Sequence, residues 1–248
     1  MPLPIALQMY TVRDAINQQG PAKVFDALRT IGYQAVELAG DYGLSAAELK
    51  TMLDDNGLTV VASHIGYDAI RDNLSKVIDD THTLGHTHVV CPFLAEDLRT
   101  PAGYLGVAQM LGEAESHPDA QGLTFCYHNH AFELETLDDG RRGLDIIFSQ
   151  PSPSSELDLY WVAKGGDDPA VWMDRLKGRL PLVHMKDMAE DGGFAPVGTG
   201  TLDLQKLADL APSVGVQALV IEQDSGWPEN DPMLSARISF EHLAQWVG

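Results

Sequence analysis

Basic residues are scarce in this chain: 16 Lys and Arg stand against 36 Asp and Glu, a formal net charge of −20. Phosphate backbones are bound by basic faces, so this balance argues against a nucleic-acid partner and against anionic membrane surfaces. Long hydrophobic runs are also missing, and none approaches the roughly 20 residues that span a bilayer. The opening residues, Met1-Pro-Leu-Pro-Ile-Ala-Leu-Gln8, carry neither a charged leader nor an extended apolar segment, so no signal peptide is expected. Only two cysteines occur, Cys91 and Cys126, each inside an apolar run that reads as a buried strand. A disulfide framework is thereby excluded, and reduced, core-packed thiols in a cytoplasmic protein are expected.

What is present is an ordinary globular composition, 44% hydrophobic over 248 residues, enough for one large α/β core. Strand-like and helix-like segments alternate along it. Strands are predicted at Ile5 to Tyr10, Gln34 to Leu38, Leu58 to Ala62, Thr87 to Cys91, Leu123 to Tyr127, Glu156 to Tyr160, Pro181 to Met185 and Gln217 to Ile221. Helices are predicted between them. Val24, Phe25, Leu28 and Ile31 mark one apolar helical face ahead of a Gly32 stop, and Ser45-Ala-Ala-Glu48 has capping-box spacing. Further helices are expected over Asp68 to Leu84, Pro101 to Ser116, Gly143 to Ser149, Pro169 to Lys177, Leu202 to Leu210 and Met233 to Val247. Eight βα units in one chain, with no linker and no Gly-x-Gly-x-x-Gly after the first strand, predict a single (β/α)8 TIM barrel over residues 1–248, ahead of an open doubly wound sheet.

A barrel of this kind carries its chemistry at the C-terminal strand ends. Polar groups gather at those ends: Gln8, Glu37, His64, the run His128-Asn-His130 with Glu133 beyond it, Asp158, His184 with Lys186 and Asp187, and Glu222 with Asp224. So many charges at one mouth need an organising cation. Carboxylates with neutral imidazoles and no thiolate suit one divalent ion, Mn, Co, Fe, Zn or Mg, and not a structural zinc site. Val197-Gly-Thr-Gly200 reads as a turn ahead of a helix rather than an anion cradle.

The chain resembles the xylose isomerase-like TIM barrels, the sugar phosphate isomerases and epimerases. The resemblance spans the chain and rests on Leu7-Gln-Met-Tyr-Thr-Val-Arg-Asp14, Gly32-Tyr-Gln-Ala-Val-Glu-Leu38, Ser63-His64, Tyr127-His-Asn-His130, Leu157-Asp-Leu-Tyr-Trp161, Val183-His-Met-Lys-Asp187, Val197-Gly-Thr-Gly200 and Val220-Ile-Glu222. It implies a metal held by Asp158, His184 and Glu222. Where the family's epimerases carry a fourth, glutamate ligand, this chain has His128, with Glu133 as the nearest carboxylate, and either residue completes the set. It further implies a small sugar or polyol substrate contacted by Gln8, Glu37, His64 and Trp161, and leaves room for a homodimer. Glu222, His128, His130 and Lys186 are the implied acid–base groups for proton abstraction beside a carbonyl. Isomerisation or epimerisation through an enediolate is the first expectation, dehydration of a keto-polyol the second, and a non-catalytic sugar-binding barrel the third. A DNA-repair endonuclease of the same superfamily is set aside, because it needs more metal ligands and a basic face.

Overall fold

Eight short parallel strands, β1 (Ile5–Gln8), β2 (Ala35–Leu38), β3 (Thr59–His64), β4 (His88–Cys91), β5 (Thr124–His128), β6 (Ser154–Asp158), β7 (Leu182–Met185) and β8 (Ala218–Ile221), close into a barrel. The computed structural model describes residues 2–247. Closure is made by β1 pairing with β8, Ile5 opposite Leu219 and Leu7 opposite Ile221. Strand alternation then sorts the side chains. Leu7, Val36, Leu157, Val183 and Leu219 point outward into the shell of helices. Ala6, Ala35, Ala62, Val90, Cys126, Leu182, Ala218 and Val220 fill the interior below the mouth. Cys91 belongs to the outer shell and Cys126 to the interior; both thiols are free and buried.

Several boundaries differ from expectation for local reasons. β1 stops at Gln8 rather than Tyr10, because the Gln8 side chain accepts the Tyr10 amide and opens a 3-10 turn over Met9–Val12. The expected helix over Asp68 to Leu84 is two, Tyr67–Asp72 and Leu74–Leu84, broken at Asn73. The helix Leu204–Val214 continues past Leu210 and through Pro212. β6 shows the consequential shift. It ends at Asp158, whose carboxylate caps the short helix Leu159–Lys164 through the Trp161 amide, so Tyr160 and Trp161 leave the sheet. Glu156, expected to open the strand, instead sits two residues before its end and faces inward. A two-stranded hairpin, Asp187–Met188 with Phe194–Ala195, follows β7 and was not predicted. No helix among the described residues is long and apolar enough to cross a membrane.

Candidate metal centre

The mouth is built in two tiers. In the upper tier His128, Asp158, His184 and Glu222 each present a ligand atom within 4.8 Å of the others, and all four are buried. The Glu222 carboxylate lies 3.0 Å from His184 Nδ1 and 2.9 Å from Lys186 Nζ, which also contacts Asp224 at 2.9 Å and Asp158 at 3.5 Å. Asp158 Oδ1 caps its helix, while Oδ2 is buried without a hydrogen-bond partner. An orphaned carboxylate oxygen, aimed among two imidazoles and a second carboxylate, is a donor set that fits a divalent ion.

Beneath it, Gln8 Nε2 donates to Glu37 at 2.7 Å, and His184 Nε2 contacts the same Glu37 oxygen at 2.7 Å. Glu156 projects from β6 into this tier, 2.7 Å from His64 Nε2, 3.1 Å from His184 Nε2 and 3.3 Å from His128 Nδ1. Sequence reasoning passed over Glu156, although strand alternation puts it on the same face as Asp158 two residues later; that spacing was the signal that could have found it.

Electrostatics sort these groups by charge state. Burial, reinforced by neighbouring imidazoles, holds His128 neutral at about 3 and His130 at about 2. Burial also pushes Asp158 up to about 6, against the pull of Lys186 and His184. Glu37 rises to about 7 through burial and its neighbour Glu156. Burial would raise Glu222 as well, but Lys186 and His184 outweigh it and keep that carboxylate ionised. His184 resists burial because Glu156, Glu37 and Glu222 surround it, and its pKa lies well above the usual imidazole range.

A cavity of about 550 Å³ opens above the tiers, lined by Tyr10, Gly40, His64, Phe93, His128, His130, Lys186, Glu222 and Asp224. His64, His128, His130, Lys186 and Glu222 are thus brought together as expected from the sequence. Trp161 stands beside them, its ring 5.3 Å from both His130 and Lys186 Nζ. Gln8 and Glu37, expected on the substrate, are instead fully buried below the cavity and bonded to each other.

Glu133, the other candidate for the fourth ligand, is not in the cluster. Tyr127 faces outward between the inward-facing Cys126 and His128, and its hydroxyl donates to Glu133 at 2.7 Å; the His130 amide donates to the other oxygen at 2.8 Å. Glu133 therefore braces the β5 tip from outside the barrel wall. Burial raises it to about 7, overriding those two donors. A carboxyl raised above its unfolded value stabilises the fold at low pH and loses that contribution as pH rises through the folded value. Wild type should lose about 2–3 kcal/mol between pH 5 and 8 relative to Glu133→Gln, measured by urea unfolding of both proteins. Parallel pH profiles would refute this.

Two further features have structural roles. Asn129 clips the tips of β5 and β6 together, accepting the Asp158 amide at 3.0 Å. Asp187 accepts the amides of Met188, Gly198, Gly200 and Leu202. The Val197–Gly200 turn does wrap an anion, and the anion is Asp187 of the same chain. A Cβ at Gly200 would lie 2.4 Å from the Asp187 carboxylate, so only glycine permits the approach.

The family model for the xylose isomerase-like TIM barrel matches residues 25–246. No sequence among curated proteins matches the chain. Among solved structures, a sugar phosphate isomerase/epimerase from Parabacteroides distasonis superposes with a TM-score of 0.85 at 20% identity, covering 100% of this chain and 96% of that one. A 3-keto-D-glucoside 4-epimerase from E. coli superposes at 0.71 and 19% identity, over 98% and 99% of the two chains. A probable 3-DHS dehydratase from Bacillus anthracis gives 0.68 and 11%, over 97% and 99%. At these identities the likeness is one of fold.

Proposed function

The chain belongs to the xylose isomerase-like TIM-barrel family, and from that membership we propose a divalent-metal-dependent isomerase or epimerase of sugars or polyols. The observation that carries this reading is the buried Asp158 Oδ2, without a hydrogen-bond partner and 3.5 Å from Lys186 Nζ, clustered with His184 and with the cavity-lining His128 and Glu222. Asp158, His184 and Glu222 would hold the ion, with His128 beside them. Once bound, it supplies Lewis acidity at a substrate carbonyl oxygen. His184 Nε2 against Glu37 directs Nδ1 toward that position, the arrangement by which a second carboxylate fixes a metal-binding imidazole.

Glu222, ionised and on the cavity wall, is the base that removes the proton beside the carbonyl. Lys186, positioned by three carboxylates, donates hydrogen bonds to the substrate oxygens next to it. Phe93, His130 and Trp161 form an aromatic wall for the apolar face of a sugar ring. Among the described residues the one ammonium lining the cavity, Lys186, is already paired with Asp158, Glu222 and Asp224, which favours an uncharged substrate over a phosphorylated one.

Dehydration of a keto-polyol is the second reading, and one asymmetry favours it. Facing Glu222 across the mouth are neutral imidazoles, His128 and His130, rather than a second carboxylate. The deciding experiment is metal analysis followed by deuterium exchange from solvent into ketoses and inososes, before and after chelation. Chelator-reversible exchange supports the enzyme, product analysis separates isomer from dehydration product, and a metal-free protein with no exchange refutes both readings.

Metal affinity should be pH-dependent with a defined sign. His184 is protonated at neutral pH before the ion arrives, so binding expels a proton. Affinity is expected to weaken as pH falls below the raised His184 value, approaching tenfold per pH unit for that one proton, and more steeply below about 6, where Asp158 also takes a proton. Binding isotherms across that range, in buffers of different ionisation enthalpy, measure both the slope and the proton count; a flat profile would contradict the assignment of His184.

A further inference from the structure

Five carboxylates, Glu37, Glu156, Asp158, Glu222 and Asp224, crowd the two tiers against one ammonium, Lys186. The lower tier has the donors for a second ion. His64, His128, Glu156 and His184 form a separate group whose ligand atoms lie within 4.8 Å of one another. Donors of a tetrahedral site with bonds of ~2.1 Å stand about 3.4 Å apart. Glu156 Oε2 is 2.7 Å from His64 Nε2 and 3.3 Å from His128 Nδ1. His128 Nδ1 and Glu156 Oε1 are buried without hydrogen-bond partners, so neither is explained by the apolar packing around it.

A neutral imidazole offers one lone pair, which forces each shared histidine to choose a tier. His128 lies nearer the lower one, 3.3 Å from Glu156 against 4.0 Å from Asp158. His184 Nε2 is engaged by Glu37, leaving Nδ1 to the upper tier beside Glu222. We infer that this barrel holds a second divalent cation, bound below the mouth by His64, His128 and Glu156, while Asp158, His184 and Glu222 bind the first. Each site then has three protein ligands and an open position, the pattern of catalytic rather than structural zinc. His64 and His128 both line the cavity, so the lower ion is reached from the mouth.

The test titrates chelator-stripped full-length protein with Zn²⁺ alone and reads stoichiometry by calorimetry and by metal analysis after desalting. Wild type should bind two equivalents, and Glu156→Gln and His64→Asn one each. Asp158→Asn should lose the upper equivalent and keep the lower. Thermal melts check that each variant is folded; His64, at the cavity edge, serves if Glu156→Gln does not fold. Anomalous scattering at the zinc edge should place one ion in bonding distance of Glu156. A wild-type stoichiometry of one or none overturns the inference. So do two equivalents retained in both Glu156→Gln and His64→Asn. Two bound ions with no exchange into any sugar would refute the catalytic reading and leave the lower site standing.

Discussion

Glu222→Gln is expected to lower kcat by about a thousandfold while sugar binding persists. Glu222 sits at the end of β8 on the cavity wall, and its carboxylate is held ionised by Lys186 and His184 despite its burial. The amide keeps the shape, and its carbonyl oxygen can still face the metal and Lys186, but it has no lone pair basic enough to take a carbon-bound proton. The loss therefore belongs in kcat, with little change in KM. A steady-state comparison, with ligand affinity measured separately, checks this. Activity within tenfold of wild type would move the base elsewhere, with His130 next in line. Binding by wild type with no turnover to lose would identify a sugar-binding barrel instead of an enzyme.

Asp187→Ala should destabilise the protein by about 4 kcal/mol, lowering Tm by on the order of 10 °C. The Asp187 carboxylate is fully buried and accepts four backbone amides from the hairpin and the turn around Gly198 and Gly200. Truncation leaves those four buried donors without their acceptor. The damage should reach the active site. Phe194, on the hairpin, packs its ring 4.7 Å from Tyr160 and stands 5.3 Å from Lys186 Nζ. Asp187→Asn retains one acceptor oxygen and should fall between the two proteins. Calorimetry settles the point, and a shift below about 2 °C would show that the turn holds itself.

The fold and the upper tier were legible because they rest on local patterns. Apolar runs ending abruptly in His64, Asp158, His184 and Glu222 announce strand tips, and in a barrel the tips share one face. Gln8 and Glu37 lie on their strands as expected, but both are buried and neither lines the cavity. Whether a strand-end side chain meets the cavity or the tier beneath depends on barrel stagger, which no single segment encodes. Glu156 was missed for a related reason. Its direction follows from alternation with Asp158, but its height, one layer below the mouth, follows from the strand ending at Asp158, and that end is set by a helix cap that an apolar continuation, Leu159-Tyr-Trp-Val162, disguises as more strand. The position of Glu133 was hidden because it depends on Tyr127, whose outward hydroxyl draws Glu133 to the far side of the wall and away from the cluster that holds His128.

The closing pair of the barrel has a consequence for how this protein is made. β1 pairs with β8, and the acidic tiers draw on residues from Gln8 to Asp224, nearly the whole length of the chain. During synthesis Glu37, Glu156 and Asp158 all emerge before Glu222 does. Until the last strand docks, the nascent barrel is open and its carboxylates can stay hydrated, at no electrostatic cost. Closing the ring is the step that dehydrates them. On the proposed metal-binding reading, cation capture and ring closure are coupled in time, so ion supply should set the rate of the final folding step more than of any earlier one.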